Sequence, residues 1–150
     1  MLSAENFFDF ENWAHRELFN EDEPVWQALI RLNSYISRAL KPNLPGIGRS
    51  GPVFQQTAVV FQGNVLTSGF DLRPGDVSKG QYQVIHEGEL LEGAIVFYAG
   101  ACLMDEDIFV GPGTVVEPGA LIKGPTIIGS YCEIRQGAYL RDSSNKKELY

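Results

Sequence analysis

The sequence contains few of the residues on which several common kinds of function depend. Among its 150 residues there are 2 cysteines and 2 histidines, and Lys and Arg number 12 against 19 Asp and Glu. Two cysteines without a CxxC spacing give no support for a zinc site. A formal net charge of -7 leaves no basic stripe that could neutralise the phosphates of a duplex, so nucleic acid is not an expected partner.

Long apolar runs are also missing. No stretch approaches the length that spans a bilayer, and the first residues, Met1 to Asn6, lack the basic and apolar regions of a signal peptide. We therefore expect a cytoplasmic protein without a membrane partner. The low cysteine content agrees with a reducing compartment. We expect Cys132 in a small internal slot and Cys102 near a comparable position, each as a buried apolar residue rather than a reactive thiol.

What the sequence does contain is an aliphatic residue at every sixth position near its end, with a small residue four places after each of the first five. A period of six matches neither a helix nor the alternation of a strand. It fits a short strand and a tight corner, repeated so that each aliphatic side chain points inward and stacks on its copy one coil away. The aliphatic residues are Val110, Val116, Ile122, Ile128, Ile134 and Leu140, and the small ones are Thr114, Ala120, Thr126, Cys132 and Ala138.

This pattern resembles that of the hexapeptide-repeat family. The resemblance implies a mainly β fold, a single-stranded left-handed parallel β-helix with a small N-terminal α-helical cap. Upstream, Leu91, Phe97 and Leu103 keep the six-residue spacing, but one residue must be inserted before Val110, and we place it in a loop from Met104 to Phe109. The alternative is a β-sandwich with regularly spaced turns, which is disfavoured because its strands would alternate with a period of two.

The sequence divides into a helical cap with a Pro/Gly linker, residues 1–52, and a β-helix with looser early rungs and a short polar tail, residues 53–150. Pro24 and apolar residues at three-and-four spacing predict a helix from Glu23 to Leu40. Its apolar face consists of Val25, Leu29, Leu32, Ile36 and Leu40. Before it, short turns capped by Ser3 carry a dense aromatic segment with Phe7, Phe8, Phe10, Trp13 and Phe19. This segment must be buried, either as a cap on the first coil or on a partner.

Residues 53–84 contain short β-rich pieces separated by glycines. They are either degenerate early rungs or a small β unit at the entry to the β-helix, and the sequence leaves both open. The glycine pairs Gly46/Gly48 and Gly63/Gly69 lack the spacing of a Walker loop, so they do not predict a nucleotide cradle.

Residues 116–141 resemble the C-terminal domain of sugar-phosphate nucleotidyltransferases, in particular the kind that combines UDP-N-acetylglucosamine pyrophosphorylase with glucosamine-1-phosphate acetyltransferase. The stretch Ile-Ile-Gly-Ser-Tyr-Cys-Glu-Ile-Arg-Gln-Gly-Ala-Tyr-Leu-Arg, residues 127–141, carries the resemblance. It implies that Arg135, before the Gln-Gly-Ala corner, reaches a sugar phosphate, with Lys123 and Arg141 as further phosphate-binding cations. The planar guanidinium group of an arginine can form a bidentate pair of hydrogen bonds with a phosphate. The alternative is that Arg135 is a solvent-exposed side chain at an outward corner, where it adds to solubility and binds no ligand.

The same resemblance implies acetyl-coenzyme A as a cofactor, a sugar phosphate or nucleotide sugar as a ligand, and a homotrimer closed about one axis. His86 is the only available candidate for a catalytic base, and the alternative is a surface histidine without a role. Where the family has further rungs with a histidine and a lysine, residues 142–150 are polar, so we expect the final catalytic rungs to be missing. Two functions therefore remain, a sugar-phosphate transferase and a non-catalytic β-helix domain for oligomerisation or partner scaffolding.

Overall fold

A computed structural model describes residues 1–11, 13–44, 46 and 51–141. The predicted polar tail, residues 142–150, lies outside this range, as does Gly48 of the glycine pair in the linker. The chain forms two compact units, one containing Met1–Ala39 and the other Leu40–Arg141. Within the described residues no helix is both long and apolar enough to cross a membrane.

The first unit consists of short 3-10 turns followed by one α-helix. Ser3 precedes the first turn and forms a capping box with Asn6, as predicted. The predicted long helix is divided, because a 3-10 turn leads into an α-helix that starts only at Ala28. The turns are Ala4–Asn6, Arg16–Leu18 and Val25–Gln27, and the helix α1 is Ala28–Ala39.

The face with which the helix packs coincides only in part with the predicted one. Ala28 and Tyr35 are buried with Leu18, and Leu32 and Ile36 pack against them. Leu29, predicted on the buried face, is 62% exposed. The three-and-four spacing is compatible with burial of more than one stripe of side chains along the helix. Packing against the turn at Leu18 buries the stripe that includes the small Ala28.

The aromatic segment stacks on itself without being fully buried. Ring centroids of Phe8, Phe10, Trp13 and Phe19 lie 5.4 to 6.5 Å apart. Phe7, Phe8 and Trp13 nevertheless remain exposed, so the expectation that the whole segment is buried is wrong for these three. The predicted role as a cap stays a prediction.

The second unit is mainly β, as predicted, and begins with antiparallel strands. These are β1 (Ala58–Phe61), β2 (Asn64–Leu66), β3 (Phe70–Arg73), β4 (Gln83–His86) and β5 (Glu89–Leu90). β1 and β2 form a hairpin, and β3, β4 and β5 form a separate antiparallel sheet. The strands between residues 53 and 84 thus pair antiparallel with their neighbours, unlike the parallel strands that follow them.

Further short strands follow within the described range 95–141 and pair in parallel ladders. The strands are β6 (Ile95–Phe97), β7 (Cys102–Leu103), β8 (Ile108–Val110), β9 (Val115–Val116), β10 (Leu121–Ile122), β11 (Thr126–Ile128), β12 (Glu133–Ile134) and β13 (Tyr139–Leu140). The first ladder is β6-β9-β12, the second β7-β10-β13 and the third β8-β11. The parallel ladders begin at Ile95 rather than at the repeat of Leu91, because the residue before it, Leu90, still belongs to the antiparallel sheet.

The register contains the predicted insertion. Ile122 pairs with Leu103 on the preceding coil and with Leu140 on the following one. The step from Leu103 to Ile122 is longer by one residue than the step from Ile122 to Leu140, which spans three repeats of six. The predicted loop from Met104 to Phe109 is too long, because β8 already starts at the fully buried Ile108.

The side chains between the ladders form the main apolar core. Val110, Val116, Ile122 and Ile128 are buried as predicted, while Ile134 and Leu140 in the last strands are half-buried. Gly111 has a strict steric role, because a Cβ there would lie 2.5 Å from the backbone of Gly129. Such spacing leaves room only for hydrogen at the stacked corners.

The two cysteines occupy different environments. Cys132 packs against the main core, as predicted. Cys102 pairs in register with Leu121 rather than with the inward Ile122, and the small internal position next to it belongs to the fully buried Ala101. Cys102 therefore lies one position from the internal slot, near it as expected. Both thiols are only half-buried.

Residues 51–61, which we call the covering segment, and Asn43 cover the first strand edge of the ladders. β1 pairs antiparallel with β6, and Val53 forms an antiparallel bridge with Cys102 of β7. The side-chain amide of Asn43 bonds to both backbone groups of Val110. Its Nδ2 donates to the Val110 carbonyl at 2.7 Å, and its Oδ1 accepts from the Val110 N–H at 2.9 Å. Backbone groups that would otherwise be open to pairing with another chain are thus used internally.

Candidate functional site

Two of the predicted cations lie together where the second ladder ends. Lys123 follows β10 and Arg141 follows β13, whose partners Ile122 and Leu140 are in register. The Lys123 N–H donates to the Leu140 carbonyl at 2.8 Å. Lys123 and Arg141 therefore occupy equivalent positions on successive coils, and we call this pair the phosphate corner.

A shallow groove of about 410 Å³ lies beside this corner on the outer face of the second ladder. The exposed ring of Tyr139 and the side chain of Lys123 stand on its wall. Glycines at the corners leave the groove open above the backbone. Its lining is Met104, Gly119, Leu121, Lys123, Gly137, Ala138 and Tyr139.

Acidic groups limit the positive potential of the corner. The Asp105 carboxylate accepts the N–H of Gly124 at 2.8 Å, directly after Lys123. A Cβ at Gly124 would overlap the Asp107 carboxylate, which shows how closely that acid approaches. An anion at the corner must therefore be held by direct contact with the two cations, because the surrounding field does not concentrate negative charge.

Arg135 lies at a different corner and is already paired. It follows β12 of the first ladder, and its Nε and Nη2 donate to Oε2 of Glu133 at 3.1 and 2.9 Å. This contact raises the pKa of Arg135. On the preceding coil, the Glu117 carboxylate accepts the N–H of Gln136 at 2.9 Å. The guanidinium thus has a carboxylate on its own strand and another one coil away.

His86 lies in the antiparallel sheet, away from the elements that carry the cations. Its Nδ1 is 2.7 Å from the Gly69 carbonyl. Because a carbonyl only accepts, Nδ1 carries the proton in this contact and Nε2 is the basic nitrogen. The structure brings Lys123 and Arg141 together, places Arg135 on another ladder, and places His86 on another sheet.

The groove beside the phosphate corner is lined by few groups that could hold acetyl-coenzyme A. The coenzyme carries several phosphates, whereas Lys123 is the one cation among the described residues that line the groove, and Asp105 is close behind it. No transfer step follows from these residues. Within the part of the chain that the structure describes, no group of three His, Cys, Asp or Glu side chains is arranged to hold a metal ion.

A second groove was not predicted from the sequence. It lies between the antiparallel sheet and the corners of the ladders, and Tyr82 and Tyr131 line it. The signal in the sequence is Tyr131 itself. It stands three repeats after Gly113, at a corner position where Gly113, Gly119 and Gly137 have glycine.

Comparisons with known proteins found partial relatives. The chain is 39% identical over 59 residues to the bifunctional protein GlmU of Lactobacillus delbrueckii subsp. bulgaricus, which covers 39% of this chain and 13% of that protein. It is 29% identical over 68 residues to the bifunctional protein GlmU of Listeria monocytogenes, covering 45% of this chain and 15% of the relative. The protein of the same name from Levilactobacillus brevis is 32% identical over 59 residues.

The chain thus matches less than one sixth of the length of these curated relatives. No protein-family model matches the chain. No solved structure matches it either. Over this short stretch, the matches to GlmU support the predicted relation to the C-terminal acetyltransferase region of that bifunctional protein.

Proposed function

We propose that residues 95–141 form a left-handed parallel β-helix of the hexapeptide-repeat kind, and that this unit binds a sugar phosphate or the phosphates of a nucleotide sugar. The ladders pair each strand with one that lies three repeats further on, or one residue more at the insertion, which supports a coil of three strands and three corners. The partial similarity to GlmU supports ligand chemistry related to that protein.

The observation that carries the proposal is the register of Lys123 and Arg141. Successive strands in a ladder lie about 4.7–4.9 Å apart, so two cations at equivalent positions are within reach of one phosphate group. Each contact is a charge-assisted hydrogen bond, which is stronger than a neutral one. Arg135 is a weaker candidate than the resemblance implies, because Glu133 competes with phosphate for its donors.

A non-catalytic role in oligomerisation or scaffolding is the second candidate. It is favoured by the outer face of the second ladder, where Cys102, Leu121 and Tyr139 stand in register beside the exposed Met104. A flat face of this kind suits a rotationally closed assembly, and the homotrimer stays a prediction. The acetyltransferase reaction, with His86 as base and acetyl-coenzyme A as donor, also stays a prediction from resemblance.

Substitution of the phosphate corner tests the proposal. We expect wild-type protein to bind glucosamine 1-phosphate in a calorimetric titration, and Lys123→Ala or Arg141→Ala to weaken binding about tenfold each, since each removes one charged hydrogen bond to phosphate. Arg135→Ala should have a smaller effect. Glu133→Gln should strengthen binding if Arg135 contributes, because it releases the guanidinium.

Arg73→Ala is the matched control, because Arg73 is an exposed cation on β3 of the antiparallel sheet. It should leave the affinity unchanged. Absence of binding to the wild type, or an equal loss in Arg73→Ala, would reject the phosphate corner. Thermal unfolding of each variant separates a loss of binding from a loss of fold.

A further inference from the structure

The groove between the antiparallel sheet and the ladder corners has the features of a ligand site. Its volume is about 510 Å³. The residues that define it chemically are Lys79, Tyr82, Gln83, Leu90, Glu92 and Tyr131, and we call it the Tyr131 groove. All belong to the second compact unit.

Tyr131 adopts a backbone conformation that is costly for its residue type. Its φ is +52°, in the left-handed region. Gly113, one coil earlier, has φ +73°, and a Cβ there would lie 2.4 Å from the Tyr131 ring. A Cβ at Gly80 would lie 3.7 Å from the same ring. The ring thus rests against Gly113 and close to Gly80, and 38% of the residue remains exposed.

A strained residue persists where its surroundings hold it, and such residues concentrate at functional sites. Glycine or asparagine would meet the backbone requirement of this corner with less strain. Tyrosine adds a flat aromatic surface at the edge of a groove. The tyrosine side chain therefore provides an aromatic surface that the backbone turn itself does not require.

The other groups of the groove are suited to hydroxyl groups. Gln83 offers both donors and an acceptor, and Glu92 offers acceptors. The Tyr82 hydroxyl is 2.5 Å from that of Tyr98, and burial together with this contact raises the pKa of Tyr82, so the phenol stays neutral. Leu90, half exposed, provides an apolar wall.

The charges favour an uncharged ligand over an anion. Lys79 is the one cation among the described residues of the lining, and its Nζ is 3.4 Å from Oδ2 of Asp76. Glu92 lines the same groove with the opposite charge. A phosphate would meet Glu92 and would have to compete with Asp76 for the ammonium group, whereas a neutral polyol would meet neither obstacle.

We propose that the Tyr131 groove binds an uncharged saccharide, whose ring packs on Tyr131 and Leu90 and whose hydroxyls bond to Gln83 and Glu92. A saccharide ring combines an apolar face with a rim of hydroxyls, which matches an aromatic surface next to an amide and a carboxylate. The site is separate from the phosphate corner. The proposal of a saccharide site does not depend on whether that corner binds phosphate.

The test is a titration of the wild type followed by amide chemical shifts in NMR spectra, with N-acetylglucosamine, glucose and galactose as saccharide probes and uridine as a nucleobase probe. At least one saccharide should bind with a dissociation constant of about 1–10 mM, as expected for a small neutral ligand. The shifts should concentrate at Tyr131, Gln83 and Glu92. Tyr131→Ala should weaken this binding about tenfold, and Tyr131→Phe by no more than about twofold, because stacking needs the ring rather than the hydroxyl.

Trp26→Ala is the matched control, since Trp26 is an exposed aromatic residue of the first compact unit and lines neither groove. It should leave saccharide affinity unchanged. If Tyr131→Ala loses the native spectrum, Gln83→Ala replaces it, with an expected loss of about fivefold from one hydrogen bond. Failure of all three saccharides, binding of uridine alone, or a loss in Trp26→Ala without a loss in Tyr131→Ala or Gln83→Ala would overturn the proposal.

Discussion

Replacing Ile128 with Asp should destabilise the second unit by more than about 3 kcal/mol, comparable to leaving one member of a buried ion pair without its partner. Ile128 is only 5% exposed and lies in the main core between the ladders. A carboxylate there meets the aliphatic side chains of that core. Because burial raises the pKa of such a carboxyl, the loss should shrink as the pH falls towards about 4, where the protonated form prevails.

Ile127→Asp is the control for this change. Ile127 pairs with Phe109 on the outer side of the third ladder, and it is half-buried and outside the main core. Its replacement should cost much less in urea unfolding monitored by circular dichroism. Equal losses for the two neighbours would contradict the inward orientation of Ile128.

Replacing Phe97 with Ala should cost about 3–5 kcal/mol, the usual range for a buried aromatic ring. Phe97 is fully buried on β6. Its ring stacks on that of Phe54, with centroids 4.9 Å apart and planes inclined by 3°. The change leaves a cavity where the covering segment meets the first coil, so it loosens both.

Phe109→Ala makes the same substitution at an outer position and serves as the comparison. Phe109 is half-buried on β8. We expect its loss to lower the free energy of unfolding by clearly less than the loss of Phe97. A smaller effect at Phe97 than at Phe109 would show that the covering segment does not pack on the first coil.

The repeated part of the fold is readable from the sequence because every coil places the same demand on the same position. Inward positions such as Val116 and Ile122 need an aliphatic side chain, and stacked corners such as Gly111 need a small one. The single inserted residue before Val110 also leaves a trace in the spacing. A one-residue change in register moves a side chain to the other side of the strand, which is why Ala101 fills the internal slot and Cys102 lies next to it.

The non-repeated parts were harder to predict, since their contacts join distant residues. Nothing near His86 in the sequence indicates that its ring bonds to Gly69 across a hairpin. The periodicity of α1 is compatible with burying Leu29, and only the packing of Leu18 on Ala28 excludes it. Helical spacing predicts that one stripe is buried without stating which partner selects it.

The candidate site, too, was predictable from the sequence only where it depends on the repeat. The proximity of Lys123 and Arg141 follows from their separation by three repeats of six, which equals one coil, although the resemblance drew attention to Arg135 first. The pairing of Arg135 with Glu133 depends on rotamers that a repeat pattern does not specify. The Tyr131 groove depends on the antiparallel sheet, whose position no six-residue pattern describes.

The most direct test of the phosphate corner is an amide chemical-shift map of the wild-type protein titrated with glucosamine 1-phosphate and, separately, with glucosamine. With the sugar phosphate, the largest shifts should fall on Lys123, Gly124, Leu140 and Arg141, and glucosamine should not reproduce them. Shifts confined to the antiparallel sheet around His86, equal responses to both ligands, or no response to the sugar phosphate would contradict the account.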